Sequence, residues 1–149
     1  MDYKDLKTVI EALIADAKYE VSMLSNVSAV LYQELEDINW VGFYYLNDKE
    51  LFLGPFQGKV ACSILPYGKG VCWKAVLDKK TIVVDNVHEF ETHIACDADS
   101  NSEIVIPILK DGEIYLVLDI DSPKLNRFKL DDKCGLEEIA LLINKCLDK

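Results

Sequence analysis

The sequence predicts an α+β fold in which a central antiparallel sheet is flanked by N- and C-terminal helices, and three observations carry that prediction. Apolar residues recur at three- and four-residue spacing at both ends of the chain, over Leu6 to Leu35 and over Asp131 to Cys146. Between those ends lie two pairs of β-branched and aromatic runs, each pair joined by a short polar turn. A Gly-Lys-Gly turn then opens one short apolar helix between the pairs. Helices outside and hairpins within is the order of a sheet with helices packed against it.

Each element follows from its own pattern. Leu6, Ile10, Leu13, Ile14, Ala17, Val21, Leu24, Val27, Val30, Leu31 and Leu35 make one apolar stripe, read as two helices with a break near Leu24 to Val27, where Ser25 or Asn26 caps the second. Trp40 to Leu46 and Glu50 to Gly54 flank the turn Asn47-Asp48-Lys49 and form the first hairpin. Pro55 to Gly58 leads on to Ala61-Cys62-Ser63-Ile64-Leu65. Gly68-Lys69-Gly70 opens a helix over Val71 to Asp78, followed by a strand at Thr81 to Val84. Asp85 to Ser100 is the longest stretch without periodicity. Ile104 to Leu109, the turn Lys110-Asp111-Gly112 and Ile114 to Asp121 form the second hairpin. The closing helix starts at a cap near Leu130-Asp131-Asp132 and puts Cys134, Leu136, Ile139, Ala140, Leu142, Ile143 and Cys146 on its apolar face.

Composition bounds the function. At 149 residues and 50% hydrophobic content the chain, residues 1–149, is expected to form one domain with its own core. A net charge of -10 argues against a nucleic-acid or anionic-membrane partner, because such surfaces call for clustered Lys and Arg. The charged start Met1-Asp2-Tyr3-Lys4-Asp5 is unlike a signal peptide, and no run reaches the ~20 apolar residues of a membrane span. A cytoplasmic protein is expected. In that compartment five cysteines are better explained as reactive thiols, metal ligands or core residues than as a disulfide framework.

The cysteines divide by context. Cys134 and Cys146 lie on the apolar face of the closing helix and read as core filler. Cys62, Cys72 and Cys96 instead lie near Gly-rich turns and acidic residues. Cys72 follows Gly-Lys-Gly at a helix N-terminus, where the macrodipole favours a thiolate; it reads equally as a plain buried helix residue. His88 and His93 add ligand types, but no C-x-x-C or H-x-x-x-H spacing appears, so no metal site is expected. Glu103, Asp119 and Asp121 sit in or beside apolar strands, where an ionised carboxylate is costly. Asp119 and Asp121 share a strand face, so mutual repulsion raises at least one of their pKa values and suits a proton donor or a cation site. Their other reading is the solvent face of an edge strand ending in the turn Asp121-Ser122-Pro123. Alternation also sends Trp40 and Tyr44 to one side.

Taken in order, Asn39-Trp40-Val41-Gly42-Phe43-Tyr44, Gly54-Pro55-Phe56-Gln57-Gly58-Lys59, Gly68-Lys69-Gly70-Val71-Cys72, Val87-His88, His93-Ile94-Ala95-Cys96-Asp97, Ser102-Glu103-Ile104 and Leu118-Asp119-Ile120-Asp121-Ser122-Pro123 resemble the free methionine-(R)-sulfoxide reductases, enzymes built on a GAF domain. The resemblance spans nearly the whole chain. It implies a GAF-like fold and a thiol-dependent reductase, with Cys96 as nucleophile, Cys62 as resolving thiol and Cys72 as a further resolving or relay thiol. It also implies that Glu103, Asp119 and Asp121 hold the substrate and its sulfoxide oxygen, while Trp40 and Tyr44 pack around its methylthio end. No cofactor is implied. Thioredoxin is the implied reductant, and pairing through the terminal helices implies a homodimer.

The implied chemistry is the attack of a Cys96 thiolate on the sulfoxide sulfur with protonation of the departing oxygen. That leaves methionine and a cysteine sulfenic acid, which condenses with Cys62 to a disulfide. The chain departs from the family pattern at Trp73-Lys74, where Gly-Thr is usual, and at Tyr115-Leu116, where a smaller Gly-containing step is usual. A Trp next to Cys72 crowds or shields that thiol. The first alternative to an enzyme is a non-catalytic GAF module that binds a small ligand or senses oxidants through Cys96 and Cys62, and the second is a cysteine-rich metal-binding domain.

Overall fold

A computed structural model describes residues 1–90 and 99–149. Its helices are α1 (Tyr3–Asp16), α2 (Glu20–Glu34), α3 (Gly70–Asp78) and α4 (Leu130–Leu147), and its strands are β1 (Trp40–Asn47), β2 (Glu50–Gly58), β3 (Ile64–Leu65), β4 (Ile82–Val84), β5 (Ser102–Lys110) and β6 (Glu113–Ser122). The strands form one sheet in the order β3-β2-β1-β6-β5-β4, and each neighbouring pair is antiparallel. Both predicted hairpins are present, and β6 pairs with β1 to join them into a single sheet.

Alternation along the strands gives the sheet two apolar faces. Val41 and Phe43 of β1, Ile104, Ile106 and Ile108 of β5, and Leu116, Leu118 and Ile120 of β6 pack against α1, α2 and α4. The opposite face carries Trp40, Tyr44, Val105 and Val117 and is covered by α3 through Val71, Trp73, Ala75 and Val76. Because α3 is short, it covers only part of that face, and a pocket opens beside its first turn.

Three expectations about the elements are corrected. The break between the first two helices falls at 17–19 and not near Leu24 to Val27. Met23, Leu24, Val27, Ser28 and Leu31 form the buried stripe of one continuous helix, so Ser25 and Asn26 lie inside it and neither caps a helix start; Ser28 Oγ donates back to the Leu24 carbonyl at 2.8 Å. β2 runs on through Pro55 to Gly58, because the β1–β2 register shifts between Gly42 and Tyr44 and Pro55 falls in that irregularity, where no ladder hydrogen bond is required of it. Cys134 is exposed, while Gly135 beside it is buried under the Tyr3 ring. Cys146 does pack against the core.

Candidate active site

Strand register assembles the site. Asp121 of β6 stands opposite Glu103 of β5 on one side and Trp40 of β1 on the other, and Asp119 stands opposite Gly42. The period of two therefore sends Trp40, Tyr44, Glu103, Asp119 and Asp121 to the face that α3 partly covers. With Cys72 and Lys69 from the start of α3, and Ser100 from the segment before β5, they line a pocket that encloses about 570 Å³ of unfilled space, mouth included.

The aromatic wall is held by stacking and by hydrogen bonds to backbone. Trp40 stacks on Tyr44 at 5.9 Å and on Phe56 at 5.3 Å between ring centroids. Trp40 Nε1 donates to the Lys59 carbonyl at 3.1 Å, and the Tyr44 hydroxyl donates to the Cys62 carbonyl at 3.2 Å. These two bonds tie the 59–62 segment, and with it half-buried Cys62, to the pocket rim. Gly42 makes the stacking possible, since a Cβ there would run into Phe56 and the Trp40 ring.

Glu103 and Asp119 are each only 6% exposed, which rules out the solvent-face reading for Asp119, while Asp121 is half-buried. Burial, then the neighbouring Asp119 and Asp121 charges, then hydrogen bonds to both, push the Glu103 carboxyl well above the usual carboxylate range. Burial also raises Asp119, but hydrogen bonds from Glu103 and Cys72 oppose the rise. The consistent state is a protonated Glu103 whose O–H donates to an ionised Asp119, with the Cys72 thiol as Asp119's second donor.

Cys72 does not behave as its helix position predicts. Burial, followed by the Asp119, Glu103 and Asp121 charges, raises its thiol well above the ordinary value, and this outweighs the dipole of a helix nine residues long. Trp73, 1% exposed, does not line the pocket. Its Nε1 donates to the Leu65 carbonyl at 3.1 Å and its ring meets Tyr67 edge-on, so the residue fastens β3 to α3. Cys96 and His93 fall within 91–98, outside the described residues.

The structure thus brings together Trp40, Tyr44, Cys72, Glu103, Asp119 and Asp121, while Cys62 is not among the lining residues and is tied to the pocket through its carbonyl, which accepts from Tyr44. Sequence reasoning missed Ser100, Lys69 and Gly42 as parts of this site. The Gly-Lys-Gly turn was the available signal for Lys69; Ser100 lies in a stretch with no periodicity and gave none.

Residues 22–148 match the GAF domain family model. The chain is 48% identical over 145 residues to the free methionine-R-sulfoxide reductase of Escherichia coli strain K12, covering 97% of this chain and 88% of that protein. The chain belongs to the free methionine-R-sulfoxide reductase family. Among solved structures similar to this family member, the reduced form of the fRMsr of Staphylococcus aureus superposes with a TM-score of 0.93 at 53% identity, covering 97% of this chain and 94% of that one. The free methionine-R-sulfoxide reductase of Neisseria meningitidis, solved in complex with its substrate, superposes with a TM-score of 0.94 at 40% identity, covering 98% and 88%. The GAF fold read from the motifs is the fold of this reductase-family chain.

Proposed function

We propose that this chain reduces free methionine-R-sulfoxide to methionine. The observation that carries the reading is the buried Glu103 carboxyl, held protonated beside Asp119 and Asp121 in a pocket walled by Trp40 and Tyr44. A sulfoxide oxygen leaves only as it takes up a proton, and an acid kept neutral by burial is suited to supply one at neutral pH. Trp40 and Tyr44 offer an apolar wall to the methylthio group. Asp119 and Asp121 offer negative charge to the substrate ammonium, and Lys69 with the N-terminus of α3 offers positive charge to its carboxylate.

In this reading the Cys96 thiolate attacks the sulfoxide sulfur, Glu103 protonates the oxygen, and methionine departs to leave a Cys96 sulfenic acid. The Cys62 thiol then displaces water to form a disulfide, and a dithiol protein, thioredoxin, returns both cysteines to thiols while it is itself oxidised. Cys72 enters as a donor to Asp119, and any relay by its thiol is limited by the rarity of its thiolate. A homodimer in the cytoplasm belongs to the same proposal.

NADPH consumption coupled through thioredoxin and its reductase tests it, with the free R and S sulfoxides and an N-acetylated R form as substrates. Turnover of the free R form alone, lost in Cys96→Ser, is the expected result. No turnover of any form, even with dithiothreitol, overturns the proposal and leaves a ligand-binding or oxidant-sensing GAF module.

A further inference from the structure

We propose that Cys72, Glu103 and Asp119 form a binding site for a thiophilic divalent cation, zinc or cadmium, and that the ion excludes the substrate from the pocket. The exclusion rests on the reductase reading above; the ion site does not.

The Cys72 Sγ, one Glu103 oxygen and one Asp119 oxygen all lie within 4.8 Å of one another, and all three residues are buried. A tetrahedral zinc ion with one sulfur and two oxygen ligands at ordinary bond lengths sets its ligands roughly 3.5 Å apart, so the three close on an ion with shifts of about an ångström. They come from three separate elements, α3, β5 and β6, whose packing and register hold them in place without any metal. This is why no paired cysteine or histidine spacing betrays the site in the sequence.

A second observation points to a ligand. Asp119 Oδ1 is buried and accepts from no nitrogen or hydroxyl donor among the described residues; the donors its carboxylate has are the Glu103 carboxyl and the Cys72 thiol, the other two members of the cluster. Once those two protons leave, the buried carboxylate has no donor, so the position favours a cation that can reach it. The donor set selects the kind of cation: one sulfur and two carboxylates suit zinc or cadmium, whereas magnesium and calcium prefer oxygen alone. Three protein ligands leave a fourth position open toward the pocket, which Asp121, Ser100, Lys69 and Tyr44 also line. Binding is a ligand exchange without redox change: the cation enters, and the Cys72 thiol proton and the proton shared by Glu103 and Asp119 leave to solvent.

The full-length reduced protein, carrying Cys134→Ser to remove an exposed thiol, is titrated with cadmium while the ultraviolet thiolate-to-cadmium charge-transfer band is followed. One equivalent of cadmium is expected to saturate the band, with the band lost in Cys72→Ser. Zinc affinity by calorimetry is expected to fall roughly 10- to 100-fold or more in Asp119→Asn, since even groups behind a metal ligand matter that much. Circular dichroism confirms that both variants are folded, and Asp119→Asn decides the matter if Cys72→Ser is not. A band unchanged in Cys72→Ser, or zinc affinity unchanged in Asp119→Asn, overturns the site. Methionine sulfoxide is expected to weaken cadmium binding, and a band it cannot shift overturns the exclusion. Failure of the reductase reading shows separately, as absent turnover in metal-free enzyme.

Discussion

Glu103 is a carboxyl on which burial, like charges and hydrogen bonds all act in the same direction, toward the protonated form. Replacing it with Gln keeps the donor to Asp119 but removes the transferable proton, so kcat is expected to fall about 10²- to 10⁴-fold with a smaller change in KM. In steady-state kinetics the wild-type rate is expected to decline as pH rises through the raised Glu103 pKa. The same shift appears in stability. A folded-state pKa above the unfolded one gives stability that is full below the ordinary carboxylate range and is lost as pH rises toward the raised value. Melting temperatures should therefore fall toward alkaline pH in wild type, and fall less in Glu103→Gln. Cys72 contrasts with Cys134 on the same principle of access. A chromogenic disulfide should label exposed Cys134 in the native protein and buried Cys72 only after denaturation.

The irregular stretch of the β1–β2 pair illustrates how an element makes room for the site. The register shift accommodates Gly54-Pro55, and on β1 the Trp40 ring lies over Gly42, where any side chain would collide with Phe56 and Trp40. Gly42→Ala is expected to cost about 1–3 kcal/mol in urea denaturation, the usual cost of overpacking, and to weaken substrate binding by tilting the Trp40 wall. At α3 the corresponding fastener is the Trp73 bond to the Leu65 carbonyl. Trp73 acts on β3 rather than on the pocket, so it leaves the carboxylate cluster intact. The early helical stretch shows tertiary packing overriding a local signal. Ser25 and Asn26 resemble caps, but a continuous α2 buries more apolar surface against the sheet than a broken one would.

At the scale of the molecule, the two ends of the chain are clasped around Asp132. Its carboxylate accepts from the Tyr3 hydroxyl at 2.6 Å, from Arg127 at 3.1 Å and from the Lys129 backbone N–H at 2.8 Å, while Arg127 Nε donates to the Glu36 carbonyl at 2.9 Å. Asp132 and Arg127 together thus link α1, the start of α4 and the segment before β1. Burial alone would raise the Asp132 pKa, but these donors together hold it below the usual carboxylate range. Its stabilisation is present above that range and lost as pH falls through the lowered value, opposite in sign to Glu103. Asp132→Ala is expected to cost about 1–3 kcal/mol at neutral pH, and the melting temperature of the variant should respond less to acid than that of wild type.

The sequence alone determined the two hairpins, the short helix after Gly-Lys-Gly and the helices at both ends, because periodicity and turn chemistry are local properties of neighbouring residues. It also determined the family, since Trp40, Tyr44, Cys62, Cys72, Glu103, Asp119 and Asp121 sit in ordered motifs that survive as a linear pattern. Only the tertiary structure decided which reading of each residue holds. Antiparallel register set Glu103 against Asp121, packing of α3 brought Cys72 to Asp119, and the partly covered sheet face made burial rather than the helix dipole control the Cys72 thiol. Those outcomes depend on residues that are distant in sequence meeting in a low-dielectric pocket, and local patterning carries no record of which long-range pairs will meet.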